Sequence, residues 1–447
     1  MVQNIAIVEK TSSELKFHEF LMEKKKLNFE KESLYCVLTL HTPFRNLVNV
    51  TLGEYEYILL PKEFGTLHHL QEITLSTMCP VYTTEFAWEW LEQAPMRSNL
   101  KSLKIMNYFL PELPLQITCL KNLTTLNIRN NGIIFLPKEF GNLPLLDLNL
   151  SFNKLENQSK QSWEWLMQAS IRNNLRKCNI SINLLTEFPL QITYLKNLRW
   201  LDIRENEIEF LPKELGTLPH LTHLNLSCNH LWKSDHNTWE WLKQTEVRNK
   251  LSKLDLSGNL LTELPPQIGK LSALTCLRLA RNKLQCLPNS FANLKNLKDL
   301  NLSNNDLLYL PGGLAHLSVD INVGENPFNL DDDSDDDLTT NLEVPSLVNY
   351  SAEFILKTGI KNRKGLSPRM VRFLDNERYC FFCETLCFRY YKMRFINYFE
   401  YDEILDLKFT SYLSSPTIRK AKFECYACSS ECAKRLSKPR LTEDKKS

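Results

Sequence analysis

Leucine and isoleucine recur along most of this chain in the pattern L-x-x-L-x-L-x-x-N-x-L-x-x-L-P. Leu123, Leu126, Ile128, Asn131, Ile133, Leu136 and Pro137 spell it once, and Leu198, Leu201, Ile203, Asn206, Ile208, Leu211 and Pro212 spell it again. The stretches 251–265, 274–288 and 297–311 repeat it cleanly, and a degenerate last copy ends at Ile321, Val323 and Asn326. The alternating L-x-L predicts a short strand with its leucines facing inward. Asn at the ninth position carries donors and an acceptor that can tie the backbones of adjacent turns. The L-P that follows stops the strand and, through the fixed φ of proline, starts a return segment. No copy can bury its leucines alone, so the copies must stack into one solenoid.

A second rhythm overlies the first. Repeat starts fall at Leu47, Leu70, Leu100, Leu123, Leu145, Leu175, Leu198, Leu221, Leu251, Leu274 and Leu297, and every third interval is longer. From Leu70 to Leu145, Leu221 and Leu297 the steps are 75, 76 and 76 residues. Each long copy inserts W-E-W-L, at Trp88–Leu91, Trp163–Leu166 and Trp239–Leu242. Trp at i and Leu at i+3 share one helical face, which predicts an amphipathic helix packed on the outer side, with Trp90, Trp165 and Trp241 pointing elsewhere. The repeat resembles the intracellular, 23-residue class of leucine-rich repeat. It implies an α/β solenoid of about 12 repeats with a curved parallel sheet, spanning 47–330.

In such a fold the residues beside the inward leucines line an open face. One row holds Asp147, Lys177, Trp200, His223, Lys253, Cys276 and Asp299, and a neighbouring row adds Arg204. Lys177, Trp200, Arg204, His223 and Lys253 are expected to form a client-binding patch, because Trp and Arg at preorganised exposed positions are frequent hot spots. The repeats carry no phosphate-binding loop, nucleophile elbow or H-E-x-x-H helix, and their histidines pair with no nucleophile, so no enzyme activity is expected.

Composition narrows the setting. The 447 residues are 43% hydrophobic and 24% charged with a net charge of +2, so no overall field draws the chain to nucleic acid or a lipid surface. No apolar run reaches the ~18 residues of a membrane span, and the N-terminus lacks the apolar core of a signal peptide. The 13 cysteines are therefore expected in a reducing, intracellular setting (cytoplasm or nucleus), as free thiols or metal ligands.

After residue 330 the composition changes. Six aspartates surround Ser334 between Asp331 and Asp337, a charge run that reads as a solvated linker over 331–343. Residues 344–376 then hold two predicted helices, and in the first Leu347, Ser351 and Ile355 fall at i, i+4 and i+8. A Cys-rich module at 377–436 follows, with C-x-x-C-x-x-x-C at Cys380, Cys383 and Cys387 and again at Cys425, Cys428 and Cys432. Two such knuckles complete a tetrahedral zinc site, with Cys380, Cys383, Cys428 and Cys432 the preferred ligands and Cys387 and Cys425 spare. No histidine lies nearby to suggest a catalytic metal, so the zinc is expected to be structural. Residues 1–46 read as an N-terminal cap and 437–447 as a basic disordered tail.

The ordered series of repeats, P-S-L-V-N-Y-S-A-E-F-I-L, S-P-R-M-V-R-F-L-D and paired cysteines resembles the leucine-rich-repeat substrate receptors of cullin–elongin B/C ubiquitin ligases. The resemblance implies that Leu347, Ser351 and Ile355 contact elongin C, and that Pro368, Val371 and Leu374 belong to the cullin-selecting box. Ser351 stands where the pattern has Cys, and Ser367 where a hydrophobic residue precedes the proline. The implied partners are elongin C, elongin B, a cullin (cullin 2 favoured over cullin 5) and a client protein. Two alternatives remain open on the residues. One is a signalling scaffold that binds a small GTPase or phosphatase. The other is a nucleic-acid binder using Arg389, Lys392 and Arg394 with Tyr390 and Tyr391, against which Glu400, Asp402, Glu403 and Asp406 weigh.

Overall fold

The computed structural model describes residues 48–52, 60, 62–76, 88–156, 160–231, 239–328, 347–358, 365–375, 378–387, 392–397, 408–409 and 421–437. The cap 1–46, the acidic linker 331–343 and the tail from 438 lie outside them. The chain forms two compact bodies, Met1–Glu207 with Leu218–His220, and Ile208–Thr217 with Leu221–Ser447.

In the first body each repeat contributes one short parallel strand: β1 (Asn49–Leu52), β2 (Glu72–Ser76), β3 (Ser102–Met106), β4 (Thr125–Asn127), β5 (Asp147–Asn149), β6 (Lys177–Asn179) and β7 (Trp200–Asp202). Their order in the sheet follows the sequence, and the inward leucines stand in register, as at Leu103↔Leu126, Leu126↔Leu148 and Cys178↔Leu201. The second body repeats the plan with β8 (His223–Asn225), β9 (Lys253–Asp255), β10 (Cys276–Arg278), β11 (Asp299–Asn301) and, after the two-residue strand β12 (Leu310–Pro311), β13 (Asp320–Asn322). The return segments after each L-P are short 3-10 turns, such as Lys138–Asn142 and Asn289–Asn293. Leucines and isoleucines at the repeat positions are almost fully buried, among them Leu126, Leu201, Leu254 and Leu300.

The ninth-position asparagines join one repeat to the next. Asn153 Oδ1 accepts from the N–H groups of Asn131, Gly132 and Ile133 at 3.0–3.2 Å, while its Nδ2 donates to the carbonyls of Ile128 and Leu150. In the second body Asn282 Oδ1 accepts from Asn259 N and Leu261 N, and its Nδ2 donates to the carbonyls of Leu256 and Leu279. Both side chains are buried, so removing either leaves several backbone groups without partners, each costing about 1–3 kcal/mol. A second, shorter bond recurs at the strand ends. Asn127, Asn149, Asn179 and Asp202 in the first body, and Asn225, Asp255, Asn301 and Asn322 in the second, each accept from the N–H two residues later. The backbone then turns through positive φ at the residue before the ladder asparagine, including the bulky Phe152 (φ 58°) and Ile182 (φ 54°).

The W-E-W-L insertions differ from the sequence expectation. They form 3-10 turns, Glu89–Glu92, Lys160–Met167 and Glu240–Lys243, and the α-helices come just after them: α1 (Ala94–Asn99), α2 (Ala169–Asn174) and α3 (Thr245–Lys250). The second tryptophan does not point away. Trp90, Trp165 and Trp241 are at most 1% exposed, deeper than Trp88 and Trp163. The tighter 3-10 winding lets both rings turn inward, where Trp90 meets Phe64 edge-on at 5.4 Å and Trp165 meets Phe140 at 5.2 Å. The preceding repeat makes room with a glycine. A methyl group at Gly65, Gly141 or Gly216 would overlap the carbonyl oxygen of Trp90, Trp165 or Trp241. Each long repeat is thus seated on a glycine of the repeat before it, a partnership that periodicity alone did not reveal.

The C-terminal elements belong to the second body. Helix α4 (Leu347–Lys357) packs on α5 (Pro368–Asp375), and α5 in turn lies on the 3-10 turn Pro266–Lys270. Asp375 fixes that contact: its carboxylate, 2% exposed, accepts from Lys270 Nζ at 2.6 Å and Gln267 Nε2 at 3.0 Å. Strand β16 (Lys422–Ala427) pairs antiparallel with β14 (Lys392–Asn397) and parallel with β12, while β15 (Lys408–Phe409) pairs with β13. The module thereby covers the backbone edge of the last repeat, which would otherwise be open. Close approach here needs Gly312, because a Cβ would lie 2.7 Å from Glu424 O and 2.9 Å from Cys425 Sγ.

Gly141→Ala is expected to lower the free energy of unfolding by about 1–3 kcal/mol through overpacking against Trp165. Urea titration followed by tryptophan fluorescence measures it, and an unchanged midpoint would contradict the seating described above.

Candidate metal centre and binding faces

The first knuckle is a tight loop closed by backbone bonds. Tyr379 bridges Leu386, Cys380 N donates to Thr385 O at 2.8 Å, and Glu384 turns through φ 51° to donate to Cys380 O at 3.0 Å. Phe381 N donates to Tyr426 O at 2.8 Å, docking the loop on β16. The second knuckle starts where β16 ends. Ser429 Oγ accepts from Cys432 N at 3.2 Å and so caps α6 (Ser430–Ser437), which places Cys432 in the first turn, facing Cys428.

The sulfurs of Cys380, Cys383, Cys428 and Cys432 all lie within 4.8 Å of one another. Cys383 and Cys428 are 3.4 Å apart, and Cys428 and Cys432 3.9 Å. A tetrahedral ion with metal–sulfur bonds of about 2.3 Å separates its ligands by roughly 3.8 Å, so these four sulfurs fit one metal ion. The thiol of Cys387 hydrogen-bonds Cys380, and with the N–H groups of Cys383, Cys428 and Phe382 it holds Cys380 down to about 3, against the effect of burial. Burial, then the hydrogen bonds its thiol donates to Cys383 and Cys380, push Cys428 up to about 12. This is the behaviour of thiols crowded so closely that only some can be ionised until a cation joins them.

The two spare cysteines have other work. Cys387 is buried with Cys380 and Tyr426, behind the cluster, and hydrogen-bonds the Cys380 sulfur. Cys425 is fully buried on the opposite side, against Gly312 of the last repeat. The knuckle also touches the repeats, since Phe381 packs on His316 at 5.0 Å and Glu384 pairs with Lys295 at 3.6 Å.

The predicted helix contacts divide by exposure. Leu347 is 84% exposed and Phe354 64%, Ser351 and Tyr350 are exposed beside them, and Ile355 is half-buried at the edge of this stripe. On the opposite side Ala352 is fully buried against the rest of the body. In α5, Pro368 is the first residue, Val371 is half-buried, and Leu374 is 1% exposed. Leu374 therefore belongs to the packing of α5, not to an open contact surface. Asp375, which secures that packing, had no signature in the sequence.

The proposed client-binding residues fall in both bodies. In the first, Asp147, Lys177 and Trp200 stand side by side in β5–β7; Lys177 pairs with Asp147 at 3.9 Å, and half-buried Trp200 lies beside them. Burial raises the pKa of Asp147, and Lys177 and Lys104 oppose the shift. Exposed Arg204 leans on Asp202 at 3.7 Å. In the second body His223 and Lys253 are register partners, with His223 Nδ1 2.9 Å from Thr222 Oγ1. Burial and then Lys253 lower the His223 pKa, so the ring is neutral at pH 7.

Cys428→Ser is expected to abolish binding of one metal ion per chain, whereas Cys387→Ser retains it; metal analysis of purified protein measures both. Titration of His223 by NMR should have its midpoint below the unperturbed ~6.5. Because the unfolded ring takes up its proton first, the stability that this residue contributes is complete above that value and declines as pH falls through the folded midpoint. His223→Gln should remove that acid-side decline.

Comparison with known proteins agrees with this architecture. The Leucine rich repeat family profile matches residues 173–231 and 249–307, and a second Leucine Rich Repeat profile matches 122–143. The chain is 29% identical over 224 residues to mouse Leucine-rich repeat serine/threonine-protein kinase 1, covering 48% of this chain and 11% of that protein. It is 30% identical over 186 residues to mouse Oligodendrocyte-myelin glycoprotein, covering 37% of this chain and 38% of the other. The chain thus spans well under half the length of these relatives. Among solved structures, the TLR13–ssRNA13 complex aligns over 65% of this chain and 41% of that one, at TM-score 0.52 and 25% identity. The Drosophila Toll–Spatzle complex aligns over 66% and 38%, at TM-score 0.51 and 23% identity. No helix among the described residues is long and apolar enough to cross a membrane. With the strand register, the asparagine ladder and the family profiles in agreement, the repeats of this chain form a leucine-rich-repeat solenoid.

Proposed function

We propose that the chain is a non-enzymatic, intracellular adaptor of a cullin–elongin B/C ubiquitin ligase. The repeat face holds a client protein, and α4 recruits elongin C. The observation that carries this reading is the exposed stripe Leu347–Ser351–Phe354 on a helix whose other side is anchored through Ala352. A leucine left 84% exposed, with a small residue one turn along, suits insertion into a partner's pocket at close approach. Ile355, half-buried, would line the edge of that contact, and α5 would present Val371 towards a cullin while Leu374 holds the helix in place.

The metal in this reading is zinc. Four thiolates with no histidine form a closed, structural donor set, with no open position for a substrate. When bound, zinc would cross-link the loop 380–387 to the start of α6; the chain's own residues contribute shape and orientation. Such a receptor acts by raising the effective concentration of a client near the conjugating enzyme.

Leu347→Asp is expected to reduce co-purification of elongin C by about tenfold or more, with an unchanged melting temperature because the side chain is exposed. Retention of elongin C by this variant would overturn the adaptor reading at its central residue.

A further inference from the structure

One strand breaks the rule of the strand-end caps. In the second body Asn225, Asp255, Asn301 and Asn322 each accept from the N–H two residues on, but the corresponding residue of β10 is Arg278. Arginine has no acceptor, so the Ala280 N–H has no acceptor among the described residues. Arg278 and, three residues later, Arg281 both line an open groove of about 550 Å³ on the sheet face. Arg281 occupies the positive-φ position (φ 55°), where asparagine or glycine would be unstrained. Neither guanidinium has an ion pair or hydrogen bond with the described residues. The acidic groups nearby are engaged elsewhere, Asp255 by Ser257 N at 2.9 Å and Asp299 by the Cys276 thiol at 3.3 Å.

We infer that Arg278, Arg281 and the Ala280 N–H form a binding site for a phosphorylated serine or threonine in a client peptide. Two guanidiniums and an N–H match the charge of about −2 and the three acceptor oxygens of a phosphoryl group. Asp255, paired in register with Arg278, and Asp299 on the next strand flank the site with negative charge. Their charge opposes any anion, so recognition rests on the direct charge-assisted hydrogen bonds of the two guanidiniums. A replacement of Arg278 by asparagine would restore the missing cap, so arginine stands here at the expense of a backbone hydrogen bond.

The test uses the full chain and a fluorescein-labelled peptide, Gly-Gly-phosphoSer-Gly-Gly, followed by fluorescence anisotropy alongside its serine and glutamate counterparts. The phosphopeptide should bind wild type, and Arg278→Asn and Arg281→Gln should each weaken it by about tenfold or more. Arg278→Asn should at the same time keep or raise the melting temperature, because it re-forms the cap, which separates lost recognition from lost folding. Absence of phosphopeptide binding to wild type, or equal binding by Arg278→Asn, would overturn the inference. So would a glutamate peptide that binds as well as the phosphopeptide. Elongin capture is read separately, so failure here leaves the adaptor reading standing, and the reverse holds too.

Discussion

The buried asparagine is the constraint on which the repeats depend. A turn of this fold leaves several backbone N–H and C=O groups in an apolar interior where water cannot reach them. Asn153 resolves this for its neighbours by accepting from three N–H groups of one repeat and donating to carbonyls of two. Burial of leucine supplies the drive to stack, but leucine has no direction. The amide supplies the direction, because its donors and acceptor can all be satisfied at only one offset between repeats. The parallel register of the strands follows from that offset.

Tolerance at the outer side contrasts with this strictness within. The long repeats bring two indole rings into the interior and are accommodated by a glycine one repeat earlier. At the end of the second body the same economy appears again. Gly312 lets β16 and Cys425 come close, and the paired edges of β12 and β13 give the Cys-rich module its seat. The four clustered sulfurs therefore stand on elements already tied to the last repeats, and Asp375 ties α5 to the same body through Lys270. Helices α4 and α5 are thereby packed on the repeats of that body.

The residues differ in how far their roles could be read in advance. The ladder asparagines were legible because their spacing repeats nine times, from Asn131 to Asn326, and because no other side chain offers two donors and an acceptor at that size. The cluster of Cys380, Cys383, Cys428 and Cys432 was legible because a knuckle brings its two thiols together by local geometry. Cys387 and Cys425, identical in chemistry, were separated from that cluster only by the packing around them: one lies behind Cys380 and the other against Gly312. Leu374 and Leu347 are the same residue type on neighbouring helices, yet one is 1% exposed and the other 84%.

The sequence by itself determined the repeat, the inward face of each strand and the clustering of thiols, because each follows from short-range periodicity and local bond geometry. Tertiary structure alone decided which tryptophan turns inward, which helix face stays open, and that Lys270 meets Asp375 across a hundred residues of chain. It also left the guanidiniums of Arg278 and Arg281 with no hydrogen bond or ion pair among the described residues, beside an uncapped N–H. Those outcomes depend on which surfaces come into contact when distant segments pack. Contact between distant segments carries no period that a single sequence can display.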